Sequence, residues 1–274
     1  MSAVRVVVCG AAGRMGGRVL HAVRSEQGME VVGATERSEA REVGLDAGTV
    51  SGSTPLGLKI SGSLESALER GADVVIDFTA PAASVRHAQV CAARKVSLVI
   101  GTTGLSSQGR AEIGARAQEI AIVLAPNMSV GVNVLFRLVS QAARALGPEY
   151  EVEVLEMHHR GKKDAPSGTA LRLAEVASDA LGLKLDSAAV YERHGDTGAR
   201  RPGSVGVQAL RGGDVVGEHT VHFLADGERL ELIHRATSRD NFARGAVRAA
   251  RWVVGKPPAL YDMQDVLGFT GAKT

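Results

Sequence analysis

Residues 4–23 read VRVVVCGAAGRMGGRVLHAV. The first six form a short Val-rich run, the pattern of a strand buried on both faces in a parallel sheet. Gly10, Gly13 and Gly16 follow at once as G-x-x-G-x-x-G, after which apolar residues recur at helical spacing. Strand, glycine turn and helix together form the context in which such spacing signals dinucleotide binding. Small residues let the backbone approach a pyrophosphate, and the helix start offers N–H groups at the positive end of a dipole. Taken alone, the glycine spacing fits an ordinary tight turn as well.

The next segment strengthens the nucleotide reading. Residues 30–35, EVVGAT, read as a second strand, and Glu36-Arg37 follow it. A carboxylate about twenty residues beyond the last glycine is placed to accept hydrogen bonds from an adenosine ribose. Arg37 is suited instead to a 2′-phosphate, so NADH and NADPH both remain open. Residues 38–62 have no clear period and read as loop. Strands at 72–78, 96–101 and 120–126 then alternate with helices at 81–93 and 106–119, the rhythm of a doubly wound, Rossmann-like parallel sheet. Ligands of such sheets lie beyond the carboxyl ends of the strands. Asp77-Phe78-Thr79, Gly101-Thr102-Thr103-Gly104 and Ala125-Pro126-Asn127 sit at those ends and are expected to line a cofactor groove.

Composition bounds the function. A chain of 274 residues is suited to two domains. Aromatics make up 3% and the formal net charge is +2 without a basic run, which argues against nucleic-acid binding. Cys9 and Cys91 form no Cys-x-x-Cys pair, so no metal or redox motif is expected. No stretch reaches the ~20 apolar residues of a membrane span, and the first residues lack a signal pattern. The expectation is a cytoplasmic enzyme with no membrane partner.

The second half changes character. Residues 130–146 keep helical spacing up to Gly147-Pro148, and residues 149–157, EYEVEVLEM, alternate as a strand. Segments 205–210, 215–225 and 229–237 read as strands, with Gly212-Gly213 and Asp226-Gly227 as hairpin turns between them. This predicts a second α+β domain with a mostly antiparallel sheet, spanning 128–239. Residues 1–127 and 240–274 then form the nucleotide domain, with a helix at 241–254 packing back on it. The strand-like segment 263–269 is too short to place.

Residues 156–171, EMHHRGKKDAPSGTAL, gather two imidazoles and several cations just before a helix. His158 and His159 face opposite sides if the strand continues. Flanking Arg160, Lys162 and Lys163 disfavour a metal site. Closely spaced cations depress one another's pKa, which suits a proton donor or an anion-binding loop. Asp164 relieves part of that charge. Ser167 is a good N-cap, and Gly168 and Thr169 present N–H groups and a hydroxyl fit for a carboxylate.

GAAGRMG, DFT, GTTG, APNMSVGVN, EMHHRGKKDAPSGTA, GDVVGEHTV and HRATSRDNFARGAV, in this order, resemble the 4-hydroxy-tetrahydrodipicolinate reductase (dihydrodipicolinate reductase) family of bacterial lysine biosynthesis. The likeness covers nearly the whole chain, apart from residues 183–203. It implies a homotetramer joined through the second-domain sheets, acting on a cyclic dicarboxylate. It implies NADH or NADPH held by Gly10, Ala11, Ala12, Gly13, Arg14, Met15, Glu36, Arg37, Gly101, Thr102, Thr103, Ala125, Pro126, Asn127 and Met128. Met128 stands where the family often has an aromatic residue. The resemblance assigns His158 as proton donor and Lys162 as a second donor. His159, Gly168 and Thr169 become substrate contacts, and Ser167 is grouped with them. A non-catalytic dinucleotide sensor would have no need of this set.

Overall fold

The structure, a computed structural model, describes residues 2–269. The chain divides into two compact units, one built from the residues up to Val130 together with those from Arg239 onward, the other from Gly131–Ser238.

The first unit opens with β1 (Val4–Cys9), α1 (Gly16–Arg24) and β2 (Met29–Thr35), followed by the single-turn helices α2 (Ala47–Val50) and α3 (Leu64–Ala67). It continues with β3 (Val74–Asp77), α4 (Pro81–Arg94), β4 (Ser97–Ile100), α5 (Ser107–Arg116) and β5 (Ala121–Leu124). The second unit holds α6 (Val130–Leu146), β6 (Glu151–His158), α7 (Gly168–Ala180), α8 (Leu185–Ala188), β7 (Ala189–Val190), β8 (Val205–Arg211), β9 (Gly217–Ala225) and β10 (Glu228–Ala236). The chain then returns to the first unit with α9 (Asp240–Val253), β11 (Ala259–Tyr261) and α10 (Met263–Val266).

The first sheet has six strands, all parallel, in the order β11-β5-β4-β3-β1-β2. Its two faces are both covered, and the alternation along β1 shows how. Val6 and Val8 pack with Val19, Leu20 and Val23 of α1 and with Ala246 and Ala250 of α9. Val7 and Cys9 pack on the other side with Ala88 and Cys91 of α4 and Ile113 of α5. A strand buried on both sides has to be apolar at every position, which is what VRVVVC largely supplies.

Two expectations for this unit need correction. The stretch 38–62 is not structureless. Asp46 caps α2 through Thr49 N–H at 3.0 Å and also accepts from Leu56 and Leu58, folding the loop around one carboxylate. Those backbone donors hold the Asp46 carboxyl down at about 2. The segment 263–269 is not a strand either. The strand lies just upstream at Ala259–Tyr261, and Asp262 begins α10 with a capping box to Asp265.

The second sheet is mixed, in the order β10-β9-β6-β8-β7. β9 pairs antiparallel with β10 and β6, whereas β8 pairs parallel with β6 and β7. Gly212-Gly213 therefore does not close a hairpin: β8 and β9 lie on opposite sides of β6. Turn residues report that the chain reverses, and partner choice depends on distant contacts. Asp226-Gly227 does join a hairpin, β9 to β10. One sheet face packs against α6 and α7, with Val152, Val154, Val207, Val221 and Phe223 meeting Val132, Phe136, Leu173 and Ala177. Residues 183–203 supply α8 and β7, and the loop beyond is tied down by Arg193 and Arg200, both paired with Glu153 at 2.7 and 3.2 Å. Among the described residues no helix is long and apolar enough to cross a membrane.

Candidate active site

Gly10 turns the chain at the end of β1 with φ of 72°, a conformation glycine adopts without strain. Its N–H and that of Ala11 both donate to the Thr35 carbonyl at 2.9 Å, fixing the turn to the end of β2. At Gly16 a β-carbon would lie 1.9 Å from the Gly10 oxygen, so α1 can start this close only with glycine there. Ala12, Gly13 and Arg14 are exposed around the turn, Met15 is half-buried, and Ala11 is buried. Glu36 reaches back to this turn, its Oε2 accepting from Ala12 N–H at 3.2 Å and its Oε1 from Arg37 N–H at 3.2 Å. An exposed glycine turn at a helix start with a carboxylate alongside fits a dinucleotide: pyrophosphate against the small residues, ribose hydroxyls toward Glu36.

The other expected cofactor residues lie at the ends of β3, β4 and β5. The Phe78 ring lies across Gly101, where a β-carbon would stand 2.1 Å from a ring carbon. The Thr102 hydroxyl accepts from Thr79 N–H at 3.1 Å and bonds Ser84 at 2.8 Å, pinning two strand ends together. Behind them Asp77, fully buried, accepts from Thr79 and pairs with His87 at 2.9 Å. Burial opposes charge on His87, yet hydrogen bonds to Asp77 and Cys9 raise its pKa to about 10. Thr103 and Pro126 are exposed and Asn127 half-buried, whereas Ala125 and Met128 are buried. Met128 is 1% exposed and packed in the core, its carbonyl close against Gly245 of α9.

In the second unit three neighbouring strands converge. Register pairs Glu156 of β6 with His219 of β9, and His158 of β6 with Arg211 of β8, so all four side chains share the sheet face that α7 covers. The Glu156 side chain is fully buried. It accepts two bonds from Arg211, each 2.8 Å, one from Ser167 N–H at 3.0 Å, and lies 2.6 Å from His158 Nδ1. Burial works against its charge, but the His158 and Arg211 hydrogen bonds outweigh it and hold the carboxyl down at about 2.

His219 sits against this group with its ring edge toward His158, centroids 5.2 Å apart. The Ser167 hydroxyl accepts from Ala170 N–H at 3.1 Å and lies within hydrogen-bond distance of His219 Nε2, 3.1 Å away. His219 Nδ1 is buried without a hydrogen-bond partner. Burial, and then the neighbouring His158, push the His219 pKa down to about 3, keeping this imidazole neutral.

The loop between β6 and α7 carries the remaining expected residues. β6 ends at His158, and His159, half-buried, begins a turn closed by Lys162 N–H to its carbonyl at 3.1 Å. Lys162 Nζ lies 2.8 and 2.9 Å from the Asp164 oxygens, so the loop's cations are partly compensated, and that lysine holds Asp164 below the usual carboxylate range. Arg211 also donates to the Asp164 carbonyl at 2.7 Å. Ser167 caps α7, leaving Gly168 exposed and Thr169 half-buried at its first turn.

Glu156, Arg211 and His219 were not singled out from the sequence. One signal was present for Glu156: in EYEVEVLEM it occupies the parity of Val152 and Val154, the core-facing positions, so a carboxylate there needs a buried partner. His219 carries the same mark, on the core-facing parity of Val221 and Phe223, whereas Arg211 ends β8 and is brought in by its pairing with β6.

With this geometry in place, the chain can be set beside known proteins. Residues 4–128 match the family described as dihydrodipicolinate reductase, N-terminus, and residues 131–267 match dihydrodipicolinate reductase, C-terminus. The chain belongs to the dihydrodipicolinate reductase family. A 4-hydroxy-tetrahydrodipicolinate reductase of Anaeromyxobacter dehalogenans is 58% identical over 269 residues, covering 98% of this chain and 99% of that one. One from Myxococcus xanthus is 55% identical over 267 residues, covering 97% and 98%. The solved structure of a dipicolinate-bound dihydrodipicolinate reductase from Paenisporosarcina sp. TG-14 aligns with a TM-score of 0.76 at 24% identity, covering 96% of this chain and 98% of that one, a likeness of fold. The dihydrodipicolinate reductase C-terminal match extends through α9 and β11, which belong structurally to the first unit.

Proposed function

We propose that the chain reduces 4-hydroxy-tetrahydrodipicolinate to tetrahydrodipicolinate, with loss of water and with NADH or NADPH, in bacterial lysine and diaminopimelate biosynthesis. The observation that carries this reading is the Glu156–Arg211–His158 cluster at the end of β6, followed by a loop that presents Lys162 and the capped start of α7. Relatives 55–58% identical over nearly the whole chain bear the name of that reaction.

A cyclic dicarboxylate brings two negative charges. The first-turn N–H groups and hydroxyl of Gly168 and Thr169, with His159, hold one carboxylate, and Ser167 keeps that turn in place. Lys162 offers its ammonium to the ring. Gly10 through Met15 receive the dinucleotide phosphates, Glu36 and Arg37 the adenosine ribose, and Phe78, Gly101 to Thr103 and Ala125 to Met128 the nicotinamide half. When bound, the reduced dinucleotide supplies hydride to the conjugated imine left by loss of water. Negative charge then builds toward the ring nitrogen, where Lys162 stabilises it. His158 delivers the proton that the product needs on carbon. Acid catalysis of this kind is typically worth ~10²–10⁴-fold in rate.

The reading includes a homotetramer. Leu155, Met157, Leu210 and Ile233 share the sheet face opposite α6 and α7, and Leu210 and Ile233 are 44% and 43% exposed, an apolar surface suited to a second copy. It also includes a cytosolic location, which suits the unpaired, buried Cys9 and Cys91.

The test is oxidation of NADH and NADPH followed by absorbance, with substrate freshly made from pyruvate and aspartate semialdehyde. Turnover is expected with at least one cofactor. His158→Gln and Lys162→Ala are expected to cut it at least ~10²-fold with cofactor affinity nearly unchanged. Unchanged turnover in both variants would remove the role assignments.

A further inference from the structure

We infer that Glu156 is the positioning residue of the proton donor: clamped by Arg211, it fixes the tautomer and aim of His158 and links them to the start of the helix proposed to bind the substrate. The inference deepens the reading of His158 as the acid and rests on it.

The argument begins with the number of partners on one carboxylate. Glu156 has no solvent-exposed side-chain surface, yet it receives four hydrogen bonds from three residues. A buried carboxylate facing only an imidazole could take up that imidazole's proton, because both groups would then be neutral and avoid the desolvation cost. Arg211 closes that route. Guanidinium does not deprotonate, and its two-point contact keeps the carboxylate ionised wherever His158 titrates. Against a fixed anion, His158 Nδ1 must carry a hydrogen in both of its protonation states. The proton that comes and goes is therefore the one on Nε2, which makes no hydrogen bond to the described residues.

The surroundings favour the same arrangement. The titratable and charged groups around His158 are Glu156 on its own strand, Arg211 on β8, His219 on β9, and Lys162 with Asp164 on the loop before α7. His219 stays neutral, so it adds no repulsion when His158 is charged. Arg211 and Lys162 would disfavour a charged imidazole, and each is matched by a carboxylate. Glu156 also accepts from the N–H of Ser167, the cap of α7, so a shift of that helix is felt by the carboxylate that holds the ring.

Glu156→Gln keeps the shape and an acceptor for Ser167 but removes the charge. With the reductase assay above, kcat is expected to fall ~10²-fold, with KM and cofactor Kd within about 3-fold. A merely structural Glu156 would lower kcat and cofactor affinity together rather than kcat alone. The second measurement needs no Glu156 variant and no turnover: the ¹⁵N spectrum of histidine-labelled wild-type protein at alkaline pH, with the His158 signal assigned by its loss in a folded His158→Gln. Hydrogen on Nδ1 supports the inference. Hydrogen on Nε2, or wild-type kcat in Glu156→Gln, overturns it. Hydrogen on Nδ1 in a protein that turns over neither cofactor would uphold the positioning and overturn the proposed reaction instead.

Discussion

A β-carbon added to Gly217 would stand 3.0 Å from Nε2 of His158. Gly217 opens β9 next to the ring, so the absence of a side chain leaves the imidazole its place. Gly217→Ala is expected to displace the ring by a few tenths of an ångström and to lower kcat about 10-fold, since small misplacements of reacting groups are costly. Cofactor affinity, measured by nucleotide fluorescence, should be unchanged. A variant with wild-type kcat would show that the ring has room to spare.

Glu36 ties the glycine turn to the end of β2 through Ala12 N–H. Glu36→Ala should weaken NADH about 10-fold and NADPH about 3-fold or less, because the ribose hydroxyl loses its acceptor while Arg37 remains for a 2′-phosphate. Titration of both cofactors decides it. Equal losses for the two would show that the carboxylate does not meet the ribose.

The two units should differ in their response to pH. His219 has its pKa depressed to about 3 from an ordinary 6.5, so the unfolded chain binds the proton more readily. Its contribution is complete above pH 6.5 and declines as pH falls from there toward 3. Glu156, held at about 2 from an ordinary 4.5, adds a loss in the lower part of that range. His219→Gln removes the first titration. Denaturant midpoints at pH 7 and pH 5 should therefore converge in the variant and stay apart in the wild type; equal gaps would contradict this.

His87 has the opposite sign. Its pKa is raised to about 10, so the Asp77–His87 pair stabilises fully below pH 6.5 and its contribution is lost as pH rises through 10. His87→Gln should lower Tm at pH 7 by about 4–8 °C, corresponding to ~2 kcal/mol for a partly buried charged hydrogen bond. The difference from wild type should shrink at pH 10. A constant difference would place the stabilisation in packing rather than charge.

The parallel sheet was legible in the sequence because its strands are buried on both faces and must be apolar throughout, as in residues 4–9, and because each ends in a short polar turn. The mixed sheet was less so. Whether β8 pairs with β9 or with β6 is settled by contacts far apart in the chain, and Gly212-Gly213 looks the same in either case. The loop after β6 announced itself through charge and imidazoles. Its anionic counterpart did not: Glu156 is one acidic residue among several in EYEVEVLEM, distinguished only by parity, and Arg211 and His219 reach it through strand register. Residues 183–203 carried no motif because two arginines meeting Glu153 leave no periodic trace.

The parallel sheet is finished late. Strand β11 lies at its edge against β5, and between them in the chain come all of Gly131–Ser238 and α9. A ribosome emitting this polypeptide therefore releases β5 with one side bare, and that side stays open until Tyr261 has emerged. Bare strand edges recruit other chains. All the residues of the second unit leave the ribosome before that edge can close, whereas β5 waits for a partner strand that is made almost last.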